Sequence, residues 1–282
     1  MPLATLQGTM ISADQTNCLL SSQLLRFTFF VTLAALLNES KSDAAPSSVQ
    51  KIDGLNTAAL ILARGGSKGI RKKNLSIVNG RSLINRAVSN ILAADVFPSV
   101  WVSTDDIEIG IEAQNSGAKI HWRDPMTATN EAPSILGVQD FYKKHPEIRV
   151  IGLVQCTSPF LIPEDLIEAH HSIQRAAYDS VFSVTRSHQL RWKYNERGEL
   201  AAINFNSTDR PRRQDWDGEL VENGMFYIFK TSLLARGLLQ GGRSHAVEIP
   251  RNRSLEIDSE TDLRIAREIA PLLDSLNQIW SH

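Results

Sequence analysis

From residue 57 onward, short apolar runs alternate with stretches in which apolar residues recur at the helical period. The runs at 58–62, 100–102, 120–122, 150–154 and 181–184 predict strands. Helices are predicted after Ser82, before Gly117, and at 133–144 and 163–176, with Ser82 as a candidate N-cap. This alternation predicts an α/β domain with a parallel sheet covered by helices.

The rhythm changes after residue 186. The stretch 187–222 is polar and basic, and within it 192–194 and 200–205 flank a turn sequence and predict a hairpin. We therefore predict an insertion at 187–222 that projects from the sheet. Strands are predicted again at 225–229 and 255–258, and Ser259 with Asp262 predicts the cap of a closing helix through Leu273.

The first 49 residues differ from the rest of the chain. An apolar run at 27–37 follows Arg26 and precedes small and polar residues, as in the apolar region of a secretory signal. The run is short for a membrane span unless 18–23 is included. We predict a signal-like or anchor-like leader and linker at 1–49 and a folded domain at 50–282. A disordered or organelle-targeting leader is the alternative.

Composition narrows the function. With 42% hydrophobic residues, 22% charged residues and a formal net charge of -1, the chain is an ordinary globular protein without the overall charge of a nucleic-acid binder. Any anion site must therefore be local.

Of the two cysteines, Cys18 lies in the leader, which leaves Cys156 without a partner in the domain.

A glycine-rich basic stretch, ARGGSKGIRKKN at 63–74, directly follows the first predicted strand. It matches neither the P-loop pattern nor the GxGxxG fingerprint of dinucleotide-binding proteins. Bare backbone N–H groups of such a loop can approach a polyphosphate, with Arg64 and Lys68 supplying charged hydrogen bonds. A basic surface turn is the alternative.

Two carboxylates lie two residues apart in the predicted last strand. Glu256 and Asp258 would point to one side of that strand and Ile257 to the other. Two adjacent oxygen ligands at the carboxyl edge of a sheet suit Mg²⁺. The alternative is ion pairing with Arg251, Arg253 or Arg264.

Six ordered motifs resemble those of a known family: ARGGSKGIRKKN, STDD, QCTSPF, RPRRQDW, ENGMFYI and LEIDSETD. In this order the chain is similar to the CMP-sialic acid synthetases, or acylneuraminate cytidylyltransferases, over most of 57–270. The resemblance implies a three-layer Rossmann-like nucleotidyltransferase fold, a mostly parallel sheet and an inserted dimerisation segment. It also implies CMP transfer from CTP to the anomeric hydroxyl of N-acetylneuraminic acid, with release of pyrophosphate and dependence on Mg²⁺ or Mn²⁺.

The same resemblance implies roles for individual residues. The nucleotide would be held by Arg64, Ser67, Lys68, Lys73, Asn74 and Arg123, the sugar by Gln155, Thr157, Phe226 and Tyr227, and the metal by Glu256 and Asp258. Lys68, Arg212, Gln214 and Asp258 would act in catalysis. For Arg123 a surface ion pair with Asp124 is an equal alternative. Cys156 is interpreted as a small buried residue rather than a nucleophile.

The basic run at 210–213 would act across a subunit interface. In the family the insertion reaches a dimer partner, so Arg212, Arg213 and Gln214 are predicted to serve the partner's active site in a homodimer or dimer of dimers. A solvated surface or a nuclear localisation signal is the alternative. The leader predicts the secretory pathway lumen, specifically the Golgi, with any membrane attachment through the leader; otherwise the protein would be nuclear or cytoplasmic.

Two departures from the family pattern stand in the motifs. Arg71 occupies the place of a proline, and Glu256 that of an aspartate. They motivate an alternative function, a catalytically weak sugar-nucleotide binding module. Other rivals are a synthetase for ketodeoxyoctonic acid and a lumenal glycosyltransferase, although the DxD sequence Asp215-Trp216-Asp217 falls in the insertion.

Three triplets beyond the leader, at Asn74, Asn206 and Asn252, fit the N-glycosylation acceptor pattern, as does Asn38 within it. A glycan on Asn74 would block the nucleotide site, so we predict that Asn74 is unmodified.

Overall fold

A seven-stranded sheet forms the centre of the domain. The computed structural model describes residues 56–67, 69–175 and 178–280. The predicted leader, Cys18, Asn38 and Lys68 lie outside the described residues, so the predictions made for them stay predictions. The strands are β1 Thr57–Leu62, β2 Ile77–Val78, β3 Arg81–Ser82, β4 Val100–Thr104, β5 Lys119–Trp122, β6 Val150–Val154, β7 Ser180–Ser187, β8 Trp192–Tyr194, β9 Leu200–Ala202, β10 Glu219–Lys230 and β11 Ser244–Glu248.

Five α-helices accompany the strands within the described ranges: α1 Leu83–Ala94, α2 Ile107–Asn115, α3 Ser134–Lys144, α4 Pro163–Arg175 and α5 Glu260–Trp280. The predicted caps are confirmed. Ser82 accepts the N–H of Asn85 at 3.0 Å, which starts α1. Ser259 and Asp262 form a reciprocal pair of cap bonds, since the N–H of Ser259 donates to the Asp262 carboxylate at 2.8 Å and the N–H of Asp262 to the Ser259 hydroxyl at 3.3 Å.

The sheet is mostly parallel, as predicted. Its strand order is β11-β7-β10-β6-β1-β4-β5. Strand β10 runs antiparallel to both β6 and β7, whereas the other neighbouring pairs are parallel. The carboxyl ends of β1, β4, β5 and β6 therefore meet at one edge. The chain leaves β1 toward β4 and β5 and later returns to β6 on the other side of β1, which is where such sheets open a crevice.

Two apolar cores cover the two faces of the sheet. Strand β1 is buried on both sides, with Ala59 and Ile61 in one core and Ala58 and Leu60 in the other. The first core also contains residues of α1, α2, α4 and α5, and the second contains Val138 and Phe141 of α3. Helices thus cover both faces of a buried sheet, and the predicted three-layer α/β fold is confirmed.

The predicted strand at 255–258 is wrong. Its residues are not in the sheet, and the N–H of Ile257 donates to the carbonyl of Thr157 in the loop after β6, at 2.9 Å. Its alternating pattern has another cause, because Ile257 is buried in the first core while its neighbours are exposed. The edge strand is instead β11, which sequence reasoning missed because Ser244–Glu248 contains few apolar residues.

The polar stretch at 187–222 joins the ends of two long strands. Ser187 of β7 pairs with Glu219 of β10, so the β7–β10 ribbon extends into the predicted insertion. At its tip β8 and β9 form the predicted hairpin as a separate two-stranded sheet. None of the described helices has the length and apolar character needed to cross a membrane.

Candidate active site

A cleft of about 390 Å³ opens at the edge where the parallel strands end. Its walls come from the segments that follow β1, β5 and β6 and from the segment before α5. The lining residues are Leu62, Arg64, Ser67, Gly69, Lys73, Asn74, Arg123, Thr127, Thr129, Asn130, Ala132, Ser134, Gln155, Thr157, Glu256 and Asp258. Most residues proposed for nucleotide, sugar and metal binding thus line one cleft.

The glycine-rich loop is fixed to its surroundings on both sides. The N–H of Gly65 donates to the Asp105 carboxylate at 2.9 Å, and the amide of Asn74 donates to the carbonyl of Arg64 at 3.0 Å. At Gly69 a Cβ would lie 2.7 Å from the backbone oxygen of Asp258, so this close approach requires glycine. Several side chains of the loop line the cleft, as the prediction of a phosphate-binding loop requires.

Arg123 is buried at the end of β5. It is 8% exposed, its Nη2 donates to the carbonyl of Thr127, and its Nε lies 3.3 Å from the Thr127 hydroxyl. Burial lowers the pKa of Arg123; the nearby Arg64 adds to this and Asp105 opposes it. Asp124 instead accepts the N–H of Met126 at 2.8 Å. The alternative of a surface ion pair between Arg123 and Asp124 is therefore wrong.

The two carboxylates face the cleft beside a lysine. Lys73 Nζ lies 3.1 Å from an Asp258 carboxylate oxygen and donates to the carbonyl of Ile257 at 2.9 Å. Partial removal of the Glu256 carboxylate from water, together with the negative charge of Asp258, raises the pKa of Glu256. The positive charge of Lys73 only partly offsets this rise. Of the three arginines predicted as alternative partners, Arg253 pairs with Asp165 instead.

The carboxylate pair has the chemistry of a cation site. Two like charges whose repulsion raises the pKa of Glu256 are stabilised by an added cation. In the described part of the chain no cluster of three or more His, Cys, Asp or Glu side chains could hold a metal. A cation at Glu256 and Asp258 would therefore take its remaining ligands from water and substrate oxygens, as Mg²⁺ commonly does.

The loop after β6 carries the polar residues predicted for the sugar. Gln155 and Thr157 both line the cleft, and the Thr157 hydroxyl lies 3.5 Å from a Glu256 carboxylate oxygen. Between them Cys156 is buried, and burial raises the pKa of its thiol to about 12. The interpretation of Cys156 as a buried, unreactive residue agrees with this environment.

The two predicted aromatic residues point in opposite directions, and neither lines the cleft. Phe226 is fully buried in the first core, so its assignment to the sugar pocket is wrong. Tyr227 is half-buried on the other face, with its hydroxyl 3.3 Å from a Glu222 carboxylate oxygen. Burial and the charge of Glu222 raise the pKa of Tyr227 to about 12.

The basic run of the insertion lies outside this cleft. Arg212, Arg213 and Gln214 are exposed, and Arg212 forms a 2.7 Å ion pair with Asp215. Asp215, the first aspartate of the DxD sequence, is therefore paired with a neighbouring arginine. The predicted action of these residues on a partner's site stays a prediction.

Sequence reasoning missed one wall of the cleft. Thr127, Thr129 and Asn130 line it from the loop between β5 and α3, and Ser134 lines it from the first turn of α3. This loop is polar and has no periodicity. Its only sequence signal is Asp124-Pro125, which predicts a short helical turn, found at Pro125–Thr127. Arg64 connects the loop to the glycine-rich loop, because its Nη1 donates to the carbonyl of Thr129.

Comparisons with known proteins identify the family to which this chain belongs. Residues 58–273 match the family model described as Cytidylyltransferase. The chain belongs to the cytidylyltransferase family. It is 45% identical over 214 residues to N-acylneuraminate cytidylyltransferase A of Danio rerio, covering 75% of this chain and 50% of that protein. It is 42% identical over 214 residues to N-acylneuraminate cytidylyltransferase of Oncorhynchus mykiss, covering 75% and 49%. The resemblance seen in the six motifs is confirmed.

This member of the cytidylyltransferase family spans about half the length of the curated relatives it matches. Among solved structures, CMP:2-keto-3-deoxy-manno-octonic acid synthetase complexed with CTP has a TM-score of 0.60 at 16% identity, covering 77% of this chain and 99% of that chain. The 4-diphosphocytidyl-2C-methyl-D-erythritol synthase of Anaerococcus prevotii has a TM-score of 0.57 at 14% identity, covering 78% and 100%. These two likenesses show the fold alone.

Proposed function

We propose that this chain transfers CMP from CTP to the anomeric hydroxyl of N-acetylneuraminic acid and releases pyrophosphate in a reaction that requires a divalent cation. The observation that carries the proposal is that one cleft brings Arg64, Lys73 and Arg123 together with the carboxylates of Glu256 and Asp258. The names of the relatives, N-acylneuraminate cytidylyltransferases, support the choice of both substrates.

The reaction is a displacement at the α-phosphorus of CTP. The anomeric oxygen forms the new P–O bond, the bond from phosphorus to the bridging oxygen of the β-phosphate breaks, and pyrophosphate leaves with that electron pair. The hydroxyl proton passes to water. The protein therefore has to align the two substrates and neutralise the phosphate charge. Arg64, Ser67 and Lys73 supply these groups, together with Lys68.

The cation would be held by Glu256 and Asp258, and we propose Mg²⁺ or Mn²⁺. When bound, it would neutralise phosphate oxygens and so stabilise the charge that develops as pyrophosphate leaves. Lys73 would link the metal-binding and phosphate-binding parts of the cleft, because its ammonium contacts Asp258 and its side chain also lines the cleft. Gln155 and Thr157 would bind hydroxyl and carboxylate groups of the sugar. Tyr227 does not line the cleft, although burial raises its pKa and the charge of Glu256 is near enough to add to this rise.

We also propose a homodimer or dimer of dimers in which Arg212, Arg213 and Gln214 act on the partner's site. In support, the insertion exposes large apolar side chains, among them Trp192 at 50% and Leu200 at 59%. Co-expression of Arg213→Ala with Lys73→Ala tests this idea. Mixed oligomers should recover part of the activity that each variant lacks alone, whereas no recovery would refute action across the interface.

The decisive experiment measures pyrophosphate release by the full chain with CTP, N-acetylneuraminic acid and Mg²⁺. Release should depend on the sugar and should collapse in Lys68→Ala and Lys73→Ala. Glu168→Gln, an exposed α4 residue outside the cleft, should retain activity. Ketodeoxyoctonic acid serves as a competing acceptor. Release without any acceptor preference for N-acetylneuraminic acid would refute the substrate assignment.

A binding module is the second candidate, favoured by Glu256 and Arg71. It predicts CTP binding without sugar-dependent pyrophosphate release at any Mg²⁺ or Mn²⁺ concentration. The glycosyltransferase alternative loses support, since the chain belongs to the cytidylyltransferase family and Asp215 is paired with Arg212.

For location we propose the lumen of the secretory pathway, specifically the Golgi, on the strength of the leader sequence; nucleus or cytoplasm is the alternative. Asn206 and Asn252 are exposed, whereas Asn74 is buried at 6% exposure. In a lumenal protein, endoglycosidase should shift the mass through Asn206 or Asn252 and never through Asn74. Absence of any glycan together with nuclear fluorescence would refute this location.

A further inference from the structure

One face of α3 contacts the chain on both sides of Arg123. Gly137, Asp140 and Lys144 follow one another at helical spacing and share this face, which we call the α3 contact face. The backbone N–H of Asp124 donates to the Asp140 carboxylate at 3.0 Å. Lys144 Nζ donates to the carbonyl of Trp122 at 2.9 Å. The residues before and after Arg123 are thus both tied to one helix.

One ion pair and one buried ring lie beside Asp140 on this face. Lys144 Nζ lies 3.9 Å from the Asp140 carboxylate. The Nε2 of the buried His121 lies 3.5 Å from the same oxygen, but burial lowers the pKa of His121 to about 4, so the ring is neutral near pH 7. The other ring nitrogen of His121 is 2.9 Å from the Ser103 hydroxyl of β4. The end of β5 is therefore connected both to its neighbouring strand and to α3.

The side chain of Arg123 lies against the bare backbone of the same helix. A Cβ at Gly137 would be 2.7 Å from Nη2 and 3.1 Å from Cζ of Arg123. These distances are shorter than van der Waals contact. A side chain at residue 137 would therefore require a shift, and the guanidinium that contacts Thr127 is the group nearest to it.

We propose that the α3 contact face positions Arg123 for the nucleotide, so that Gly137 and Asp140 determine affinity for CTP although neither lines the cleft. An arginine side chain is flexible, and ordering it at the moment of binding would weaken affinity. Here the missing side chain at Gly137 leaves space for the guanidinium, and Asp140 accepts a hydrogen bond from the backbone next to Arg123. The inference rests on the proposed binding of CTP in this cleft.

The test is CTP affinity of the full chain, measured by calorimetry with Mg²⁺ and no sugar, for Gly137→Ala, Arg123→Ala and the double variant. Alanine favours a helix over glycine, so Gly137→Ala should remain folded, as its melting temperature will show. We expect Gly137→Ala to lower affinity about tenfold, the loss of one charged hydrogen bond. The double variant should bind no more weakly than Arg123→Ala alone.

Asp140 provides an independent test. Asp140→Ala should weaken CTP binding several-fold, whereas Asp140→Asn should restore it, because an amide oxygen can still accept the N–H of Asp124. Lys143→Ala, exposed on the same helix, is the matched control and should bind CTP as the unmodified protein does. KM for CTP should rise in Gly137→Ala while KM for the sugar stays constant.

Two failures are distinguishable. If the unmodified protein binds CTP but Gly137→Ala binds it equally well, or if the losses in Gly137→Ala and Arg123→Ala simply add, the positioning role is wrong and the proposed function stands. If the unmodified protein binds no CTP, the proposed function fails and this inference fails with it.

Discussion

The two ends of the cleft are prepared in different ways. At one end Arg123 is 8% exposed and contacts Thr127, while its flanking residues are bound to α3. At the other end the Asp258 side chain is 72% exposed and forms an ion pair with Lys73. The positive end is therefore held by the protein, whereas at the negative end Lys73 is the cation that the described residues place beside the two carboxylates.

This difference shows how the site divides its work. A fixed guanidinium loses little entropy when it meets a ligand, so the Arg123 end suits recognition of the nucleotide. The carboxylate end gains its full stabilisation only when a cation arrives with the substrate. The two ends should therefore respond differently to substitution: Arg123 through affinity, Asp258 through rate.

The largest effect should come from removing Asp258. In Asp258→Ala we expect kcat to fall on the order of 10²–10³-fold, the scale of losing a charge-stabilising group at a reacting centre. CTP affinity without metal should change little. Steady-state kinetics across Mg²⁺ concentrations, beside Glu168→Gln as a carboxylate-loss control, will measure it. An unchanged metal dependence would show that Asp258 holds no cation.

A smaller effect is expected from Arg123→Lys. Lysine keeps the charge but lacks the planar fork that reaches Thr127, so the positive end loses its fixed geometry. KM for CTP should rise about tenfold while kcat stays within a few-fold. If kcat falls and KM stays constant, the comparison between a binding end and a rate-determining end is wrong.

Glu256→Asp sharpens the negative end further. The family usually has aspartate here, and Mg²⁺ demands near-ideal octahedral geometry that a longer, more flexible ligand meets less well. We expect the ratio of rates with Mn²⁺ and with Mg²⁺ to fall several-fold in this variant. A constant ratio would mean that the extra methylene does not affect metal choice.

How much the sequence predicts differs between these regions. The loop at 63–74 and Gln155 were found because apolar runs ending in polar residues mark the carboxyl ends of buried strands. Glu256 and Asp258 were assigned correctly to one side for a wrong reason. Their alternation reflects Ile257 packing into the core, and the backbone of that segment bonds to a loop rather than a strand.

Tertiary contacts decide what the sequence leaves open. The wall at 127–134 has no periodicity, and its position depends on Arg64, which donates to the carbonyl of Thr129 far along the chain. Likewise Gly137 looks like an unfavourable residue within a helix until Arg123 is placed beside it. Phe226 was misassigned because alternation predicts opposite faces but not which face is the core.

The smallest effect concerns stability without ligand. Partial removal from water and the negative charge of Asp258 raise the pKa of Glu256, so the Glu256 carboxylate binds a proton more tightly in the folded protein than in the unfolded chain. This contribution is complete at acid pH and is lost as pH rises through the raised pKa. Near neutral pH Glu256 therefore opposes folding, and Glu256→Gln should raise the melting temperature at pH 7 but not near pH 4.

After allowance for solvent screening, the gain should stay below about 1 kcal/mol, or about 2–4 °C for a domain of this size. Mg²⁺ with CTP should stabilise the unmodified protein more than Glu256→Gln, which would reverse their order. Such a reversal is the thermodynamic counterpart of an end of the cleft built for a cation that arrives with its substrate. If Glu256→Gln instead melted at the same temperature as the unmodified protein at pH 7 as well as near pH 4, Lys73 would already neutralise the carboxylate pair.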